Sequence, residues 1–358
     1  MSRRRFALLL IAALVVLTAG LYLASQRNPS QETLQVKLLP QLADEINAVT
    51  AITVRKGGAL PTVTVQQHGA QWTVAERAEY PADVSKIRKL LLSLRDANIV
   101  EQKTSEPSKF PVIGVEDPVD PGAQGAQITV SGPGFKHALI VGKSVGEGNF
   151  VRRESDNRTF SVEPAIGIET EPRFWIDSRL LDVPVALLQS VDVKPAAGAA
   201  YSLHRLNPAD NTYSLEGVPA GRTALDGHAL APSASTFGSL TADDVAPAGD
   251  VDFGQSSQAV VTLTDGNVMT LTGAVVGDKH WLQVRSNKDA ALTEKTRGRA
   301  YQIASYRYDA IFRPLEQLLV AREPPAKPPA KTAPGKTGKP VPQAPARPPK
   351  SAPTAAAS

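Results

Sequence analysis

The residues that could do chemistry are scattered along the chain. The nearest approach to a phosphate loop is Gly142-Lys143-Ser144. Such a loop needs a further glycine five residues before Gly142, so that backbone N–H groups cradle the phosphates while the lysine reaches them. Position 137 is histidine and residues 138–141 read as a strand, so residues 142–148 are expected to form a hairpin connection. The five histidines, His68, His137, His204, His228 and His280, include no pair at helical or zinc-like spacing. Carboxylates cluster at Glu116-Asp117, Asp243-Asp244 and Asp250/Asp252, but without the calcium-loop alternation of oxygen donors around a glycine. They read as solvated loop residues. The chain has no cysteine, which excludes disulfides, thiolate metal sites, cysteine nucleophiles and thiol-linked lipid. No serine stands in a Gly-x-Ser-x-Gly elbow, and no Ser-x-x-Lys has its supporting motifs. A triad gathered from distant residues stays open, because such sites are defined by geometry. Trp72, Trp175 and Trp281 fall one per structural block and read as core anchors. The expectation is a non-enzyme with no catalytic, cofactor-binding or metal-binding residue.

What must position any function is a chain of 358 residues, 42% hydrophobic, long enough for two domains that each bury a core. Its net charge of +4 is unevenly spread. Arg3, Arg4 and Arg5 supply three positive charges, and residues 322–358 hold seven basic residues against one Glu. Residues 6–321 therefore carry a net −5, which argues against a nucleic-acid partner.

Between the ends, the sequence reads as an α+β unit made twice, residues 35–188 and 189–321. The first copy opens with an amphipathic stretch at 38–46. Strands follow at 51–55, 62–67 and 71–75, with Val63, Val65, Trp72 and Val74 alternating toward one buried face. Asp83 caps a helix whose Val84, Ile87, Leu90, Leu91 and Leu94 form a single apolar stripe. Ile99 and Val100 return as a strand. In the second copy Val191 and Val193, then 201–205 and 213–215, are the opening strands. Its helix is expected to start at Ala231-Pro232-Ser233, with Phe237 and Leu240 in the places of Ile87 and Leu90. Gly238 and three neighbouring hydroxyl residues weaken it. Each copy then forms a four-strand meander, at 126–130, 137–141, 149–153 and 159–162, and again at 260–264, 267–271, 281–284 and 300–303. Asp265-Gly266 marks a tight hairpin in the second. Apolar segments at 174–188 and 304–320 close the copies, with Pro314 starting or kinking a helix.

The ends read differently. Residues 6–23 are apolar apart from Thr18 and, as a helix, would span roughly 27 Å, enough to cross a bilayer core. The arginines of residues 1–5 should stay cytoplasmic and place the rest outside. The run is longer than a signal-peptide core, and Tyr22 sits where cleavage after Ala24 would need a small residue, so an uncleaved anchor is expected. Residues 322–358 contain eleven prolines and no aromatic, the composition of a disordered spacer.

Several motifs together carry a family likeness. They are Ile52-Thr53-Val54, the Trp72 strand, Tyr80-Pro81-Ala82-Asp83 before the leucine-rich helix, Phe110-Pro111-Val112-Ile113-Gly114-Val115 ahead of Asp117-Pro118, and Ile140-Val141-Gly142-Lys143 leading to Phe150-Val151-Arg152. With the N-terminal anchor, this resembles the bacterial domain-of-unknown-function family 4340 over roughly residues 35–320. The resemblance carries no catalytic residue. It implies a membrane-anchored envelope protein encoded beside gliding-type ABC transporter subunits. The expected function is thus a non-enzymatic accessory or scaffold of an ABC-type transport complex. Its partners would be the inner membrane and the permease or auxiliary subunits, with a single-pass location and the ectodomain in the periplasm. The alternative is a module binding cell-wall or other anionic polymer, with the basic tail as one contact.

Overall fold

Alternation decides most of this fold. Where Ile52 and Val54 are fully buried, Ala51, Thr53 and Arg55 are half-exposed, and that two-residue rhythm can only be met by a strand with one face on a core. The computed structural model describes Thr18, residues 36–207, Ala209 and residues 211–321. Apart from Thr18, the expected anchor at 6–23, the basic end at 1–5 and the tail at 322–358 lie outside the described residues. Among the described residues no helix is long and apolar enough to cross a membrane.

The chain begins with β1 (Val36–Lys37) and the short α1 (Leu42–Glu45), then β2 (Ala51–Arg55), β3 (Val63–His68), β4 (Gln71–Val74) and β5 (Tyr80–Pro81). Next come α2 (Val84–Asp96), β6 (Asn98–Gln102) and the one-turn α3 (Phe110–Ile113). The meander β7 (Ala126–Gly132), β8 (Phe135–Val145), β9 (Gly148–Arg153) and β10 (Thr159–Glu163) follows. These strands make one antiparallel sheet in the order β1-β6-β10-β9-β8-β7-β2-β3-β4-β5. After β11 (Arg179–Asp182) the chain forms β12 (Leu188–Lys194), β13 (Tyr201–Asn207), β14 (Thr212–Glu216), α4 (Gly227–Ser235), β15 (Ser239–Thr241) and β16 (Asp244–Pro247). It ends with β17 (Ser257–Leu263), β18 (Val268–Val276), β19 (Lys279–Ser286), α5 (Ala290–Thr296), β20 (Arg299–Ile303) and α6 (Ser305–Ile311). The second sheet is also antiparallel, ordered β14-β13-β12-β17-β18-β19-β20-β16, and β11 pairs with β15 apart from both. The fold is α+β: mostly antiparallel sheet with a few helices.

Two separate cores are not what forms. Residues 36–320 belong to one compact unit, and one buried cluster runs from Leu38 to Leu319. The reason lies at the seam. β11 crosses to pair with β15, Trp175 is 1% exposed, and the Asp83 N–H donates to the Trp175 carbonyl. Charged side chains fasten the same seam. Arg77 forks onto the Asp244 carboxylate, and Lys295 Nζ donates to Asp177 Oδ2 at 2.9 Å. Arg299 donates to the carbonyls of Ala78, at 2.9 and 3.1 Å, and Glu79, at 3.2 Å. Ala78 and Glu79 are both left-handed, φ 55° and 51°, and the guanidinium holds the carbonyls of that strained turn.

Three local expectations need correction. The second helix starts at Gly227, not at Ala231, because the Asp226 carboxylate accepts from the N–H groups of His228 and Ala229. Pro232 therefore falls inside the helix. Phe237 lies in a following 3₁₀ turn and Leu240 on β15, so neither stands on a helix in the place of Ile87 or Leu90. Lastly, residues 142–148 are not all connection: β8 continues through Lys143 to Val145, with an irregularity in its pairing to β9 between Val141 and Ser144. A β carbon at Gly142 would collide with the carbonyl oxygens of Ile113 and Gly114, so the glycine is there to let the α3 turn lie on the strand.

Candidate functional site

The residues of chemical type singled out above are held apart, and most of them serve local contacts. Lys143 Nζ donates to the Val112 carbonyl at 2.8 Å, tying the α3 turn to β8. His137 contacts Glu45 at 2.5 Å, His68 and His204 lie 3.7 and 3.5 Å from Glu79 and Glu216, and the His280 ring lies tilted against Tyr308. His228 stands in the first turn of α4, where its N–H meets the cap. Among the described residues no three His, Asp or Glu side chains are grouped to hold a metal. Among the carboxylates of the expected clusters, Glu116 accepts from the Gln124 N–H, Asp117 from Val119 and Asp252 from Gly254, while Asp244 belongs to the seam.

The surface that stands out was only half visible in the sequence. In α2, Asp83 caps the first turn by accepting from the Ser85 N–H at 2.9 Å. Burial works to raise the Asp83 carboxyl, but hydrogen bonds from the Ser85 hydroxyl and N–H, with Lys86 nearby, prevail and hold it below its ordinary range. One stripe, Ile87, Leu90, Leu91 and Leu94, enters the core. A neighbouring stripe does not. Val84 is 48% exposed, and Val84, Arg88 and Arg95 lie at steps of four and seven on one face, with the buried Leu91 at its border with the core stripe.

Beside that face lies a groove of about 520 Å³ between α2, the α1 turn and the sheet. Its floor is apolar, from Ile46, Val49, Trp72, Ile87 and Leu91. Trp72 is half-buried: it packs on the core and also lines the groove, so it is not solely a core anchor. The rim is basic. Arg95 forks onto Asp96 at 2.7 and 3.0 Å, which holds the guanidinium above and the carboxyl below their ordinary ranges. Arg88 makes no ion pair or side-chain hydrogen bond among the described residues. The groove thus offers a wet-edged apolar trough about three helical turns long, with one uncommitted cation. Its lining residues include no carboxylate, imidazole or hydroxyl.

A second hollow of about 540 Å³ sits at the N-terminal end of α2. It is already satisfied, since Asp83 serves the cap and Asp177 is bonded by Lys295 and by the Arg179 N–H. Burial works to raise the Asp177 carboxyl, but the Lys295 hydrogen bond and charge prevail and hold it below its ordinary value.

The geometry therefore defines an α+β body with an open groove along its long helix. The model of the family described as a domain of unknown function, DUF4340, matches residues 72–263, more than half of the chain, from Trp72 in the groove to the end of β17. The chain belongs to this family. Comparison with curated proteins and with solved structures finds no match.

Proposed function

We propose that the protein is a membrane-anchored, extracytoplasmic docking component, an accessory or scaffold of an ABC-type transport complex that works by holding a partner and not by catalysis. The observation that carries this is the groove beside α2. An apolar floor flanked by Arg88 and Arg95 is complementary to an amphipathic helix of a partner subunit bearing acidic residues. From position 84 to 95 the bordering face is roughly 16 Å long, enough for three turns of such a helix. The anchor at 6–23 would hold the groove at a fixed place near the membrane.

A body suited to holding should also be stiff. We read its two sheets as copies of one unit, and their strand orders support that reading. Without β1 and β5, the first sheet runs β6-β10-β9-β8-β7-β2-β3-β4; the second runs β16-β20-β19-β18-β17-β12-β13-β14. The pairs Ile52–Val130 and Val54–Ile128 have the same places as Val191–Val261 and Val193–Ala259.

The test is purification of the full chain from its own membranes in mild detergent, with a photo-crosslinking residue at position 84. The expected result is a crosslink to an acidic helix of a permease or auxiliary subunit, lost in Arg88→Glu and in Trp72→Ala. Recovery of the protein alone in several detergents, or a crosslink unaffected by Arg88→Glu, would overturn the reading.

A further inference from the structure

On the other half of the molecule, β20 pairs with β19 only from His280 to Leu282. Beyond that point the edge of β19 faces α5 and the Arg297-Gly298 turn across a cleft of about 370 Å³. Gln283, Arg285 and Ser286 line it from β19, Thr293 from α5, and Arg297 and Arg299 from the turn into β20. The lining holds three guanidiniums and no carboxylate, in a body whose residues 6–321 carry a net −5. A local positive site in an acidic surround concentrates anions at that place.

The three arginines differ in what they have to give. Arg299 is spent on the carbonyls of Ala78, Glu79, Glu294 and Lys295, so it contributes field and not donors. Arg285 is exposed and makes no ion pair or side-chain hydrogen bond among the described residues. Arg297 meets only Glu294, at 3.2 Å, and those side chains are 72% and 74% exposed. A pair so exposed is held weakly and can open for a competing anion. The hydroxyls are committed: Thr293 donates to the Asp289 carbonyl at 2.7 Å and Ser286 to Asn267 Oδ1 at 2.8 Å. What remains for a ligand is two guanidiniums on different elements and the Gln283 amide.

We infer that this cleft binds a phosphoryl ester. One guanidinium suffices for the two oxygens of a carboxylate, whereas a tetrahedral phosphoryl group presents oxygens to two forks at once. The volume is at the low end for ligand clefts and leaves room beside the phosphoryl group for a small polyol. All of its polar lining residues lie beyond residue 263, where the family match ends. Phosphoryl esters of this kind occur free and as lipid headgroups.

Calorimetry on the full chain at low salt tests the assignment with two probes, glycerol 3-phosphate as the free monoester and glycerophosphoglycerol as the headgroup diester. At least one should bind, more weakly as salt rises. Arg285→Ala and Arg297→Ala should each weaken it about tenfold or more, with the thermal midpoint unchanged, and Arg285→Lys should fall in between. Arg88→Ala should bind normally, which separates this site from the docking groove. Tighter binding of the monoester would mark a soluble ligand and of the diester a headgroup, either in support. Heat with neither probe, or undiminished heat in the Arg285→Ala/Arg297→Ala double variant, would overturn it.

Discussion

Ser233 is one of several buried polar side chains, Tyr80 and Tyr213 among them, that the fold leaves without a hydrogen-bond partner. The residue is 2% exposed within α4, and its hydroxyl has no hydrogen-bond partner. A buried hydroxyl left unbonded costs about 1–3 kcal/mol, and alanine is also the better helix former. Ser233→Ala should therefore stabilise the protein by about 1 kcal/mol, read as a higher urea midpoint at unchanged slope. A lower midpoint would show that the hydroxyl has work to do. At this scale the sequence was legible for what residues are, less so for what they touch. Missing motifs pointed Lys143 to a hairpin connection and the acidic clusters to solvated loops, whereas Lys143 lies on β8 and Asp244 on β16, paired with Arg77. That Arg88 would be left uncommitted while Arg95 turns to Asp96 depended on side-chain directions that spacing does not give. Asp226 is a readable signal, because an aspartate before Gly-His-Ala-Leu caps a helix as Asp83 does, whereas Pro232 places the expected start four residues too late.

Among the elements, strands were the most legible, because alternation marks them directly. The strand at 51–55 has the bounds expected, and the meanders lie within a few residues of theirs. Short edge pieces such as β5, β11, β15 and β16 carry two to four residues each, too few to show a period. Half of the groove was legible for the same reason: the α2 stripe is periodic, whereas α1 and Trp72 reach it only through tertiary packing. The α3 turn is a case where composition misled. Gly142-Lys143 looked like loop material, yet it is strand, with the glycine making space for the Phe110–Ile113 turn. Around that turn Phe110, Val115 and Ile140 form a small separate core, and Arg152, 8% exposed, donates from Nε to the Val115 carbonyl at 3.0 Å. Burial pulls the Arg152 guanidinium down, and the charges of Asp117 and Glu154 work against it. Gly142→Ala should push the turn off the strand. The expected cost is about 1–3 kcal/mol of overpacking, with new protease cleavage between residues 103 and 125. An unchanged digest and midpoint would mean that the turn simply shifts aside.

The molecule as a whole is held at the seam between its sheets, and the seam sets how stability should vary with pH. Asp177 has its carboxyl held below the ordinary value near 3.9, so the native state favours its ionised form. The stability it lends is complete above that value and drains away as pH falls through the lower native one. Tyr80 and Tyr301 lie edge to face across the seam, centroids 5.7 Å apart, and burial raises both well above the ordinary value near 10. Burial also pushes Tyr201 up to about 12. For these rings the native state favours the neutral form, so their contribution is whole below pH 10 and is lost as pH climbs through the native values. Urea midpoints should accordingly form a plateau from about pH 5 to 9 and fall on both sides. Because one core spans both halves, fluorescence and circular dichroism should report a single transition throughout. Asp177→Asn should lower the plateau and flatten the acid limb, since its amide cannot answer Lys295 with charge. Tyr301→Phe should flatten the alkaline limb while losing the bond from its hydroxyl to the Lys295 carbonyl. Two separated transitions in the parent protein, or an acid limb unchanged in Asp177→Asn, would show that the sheets fold as independent bodies and that the seam is only a surface contact.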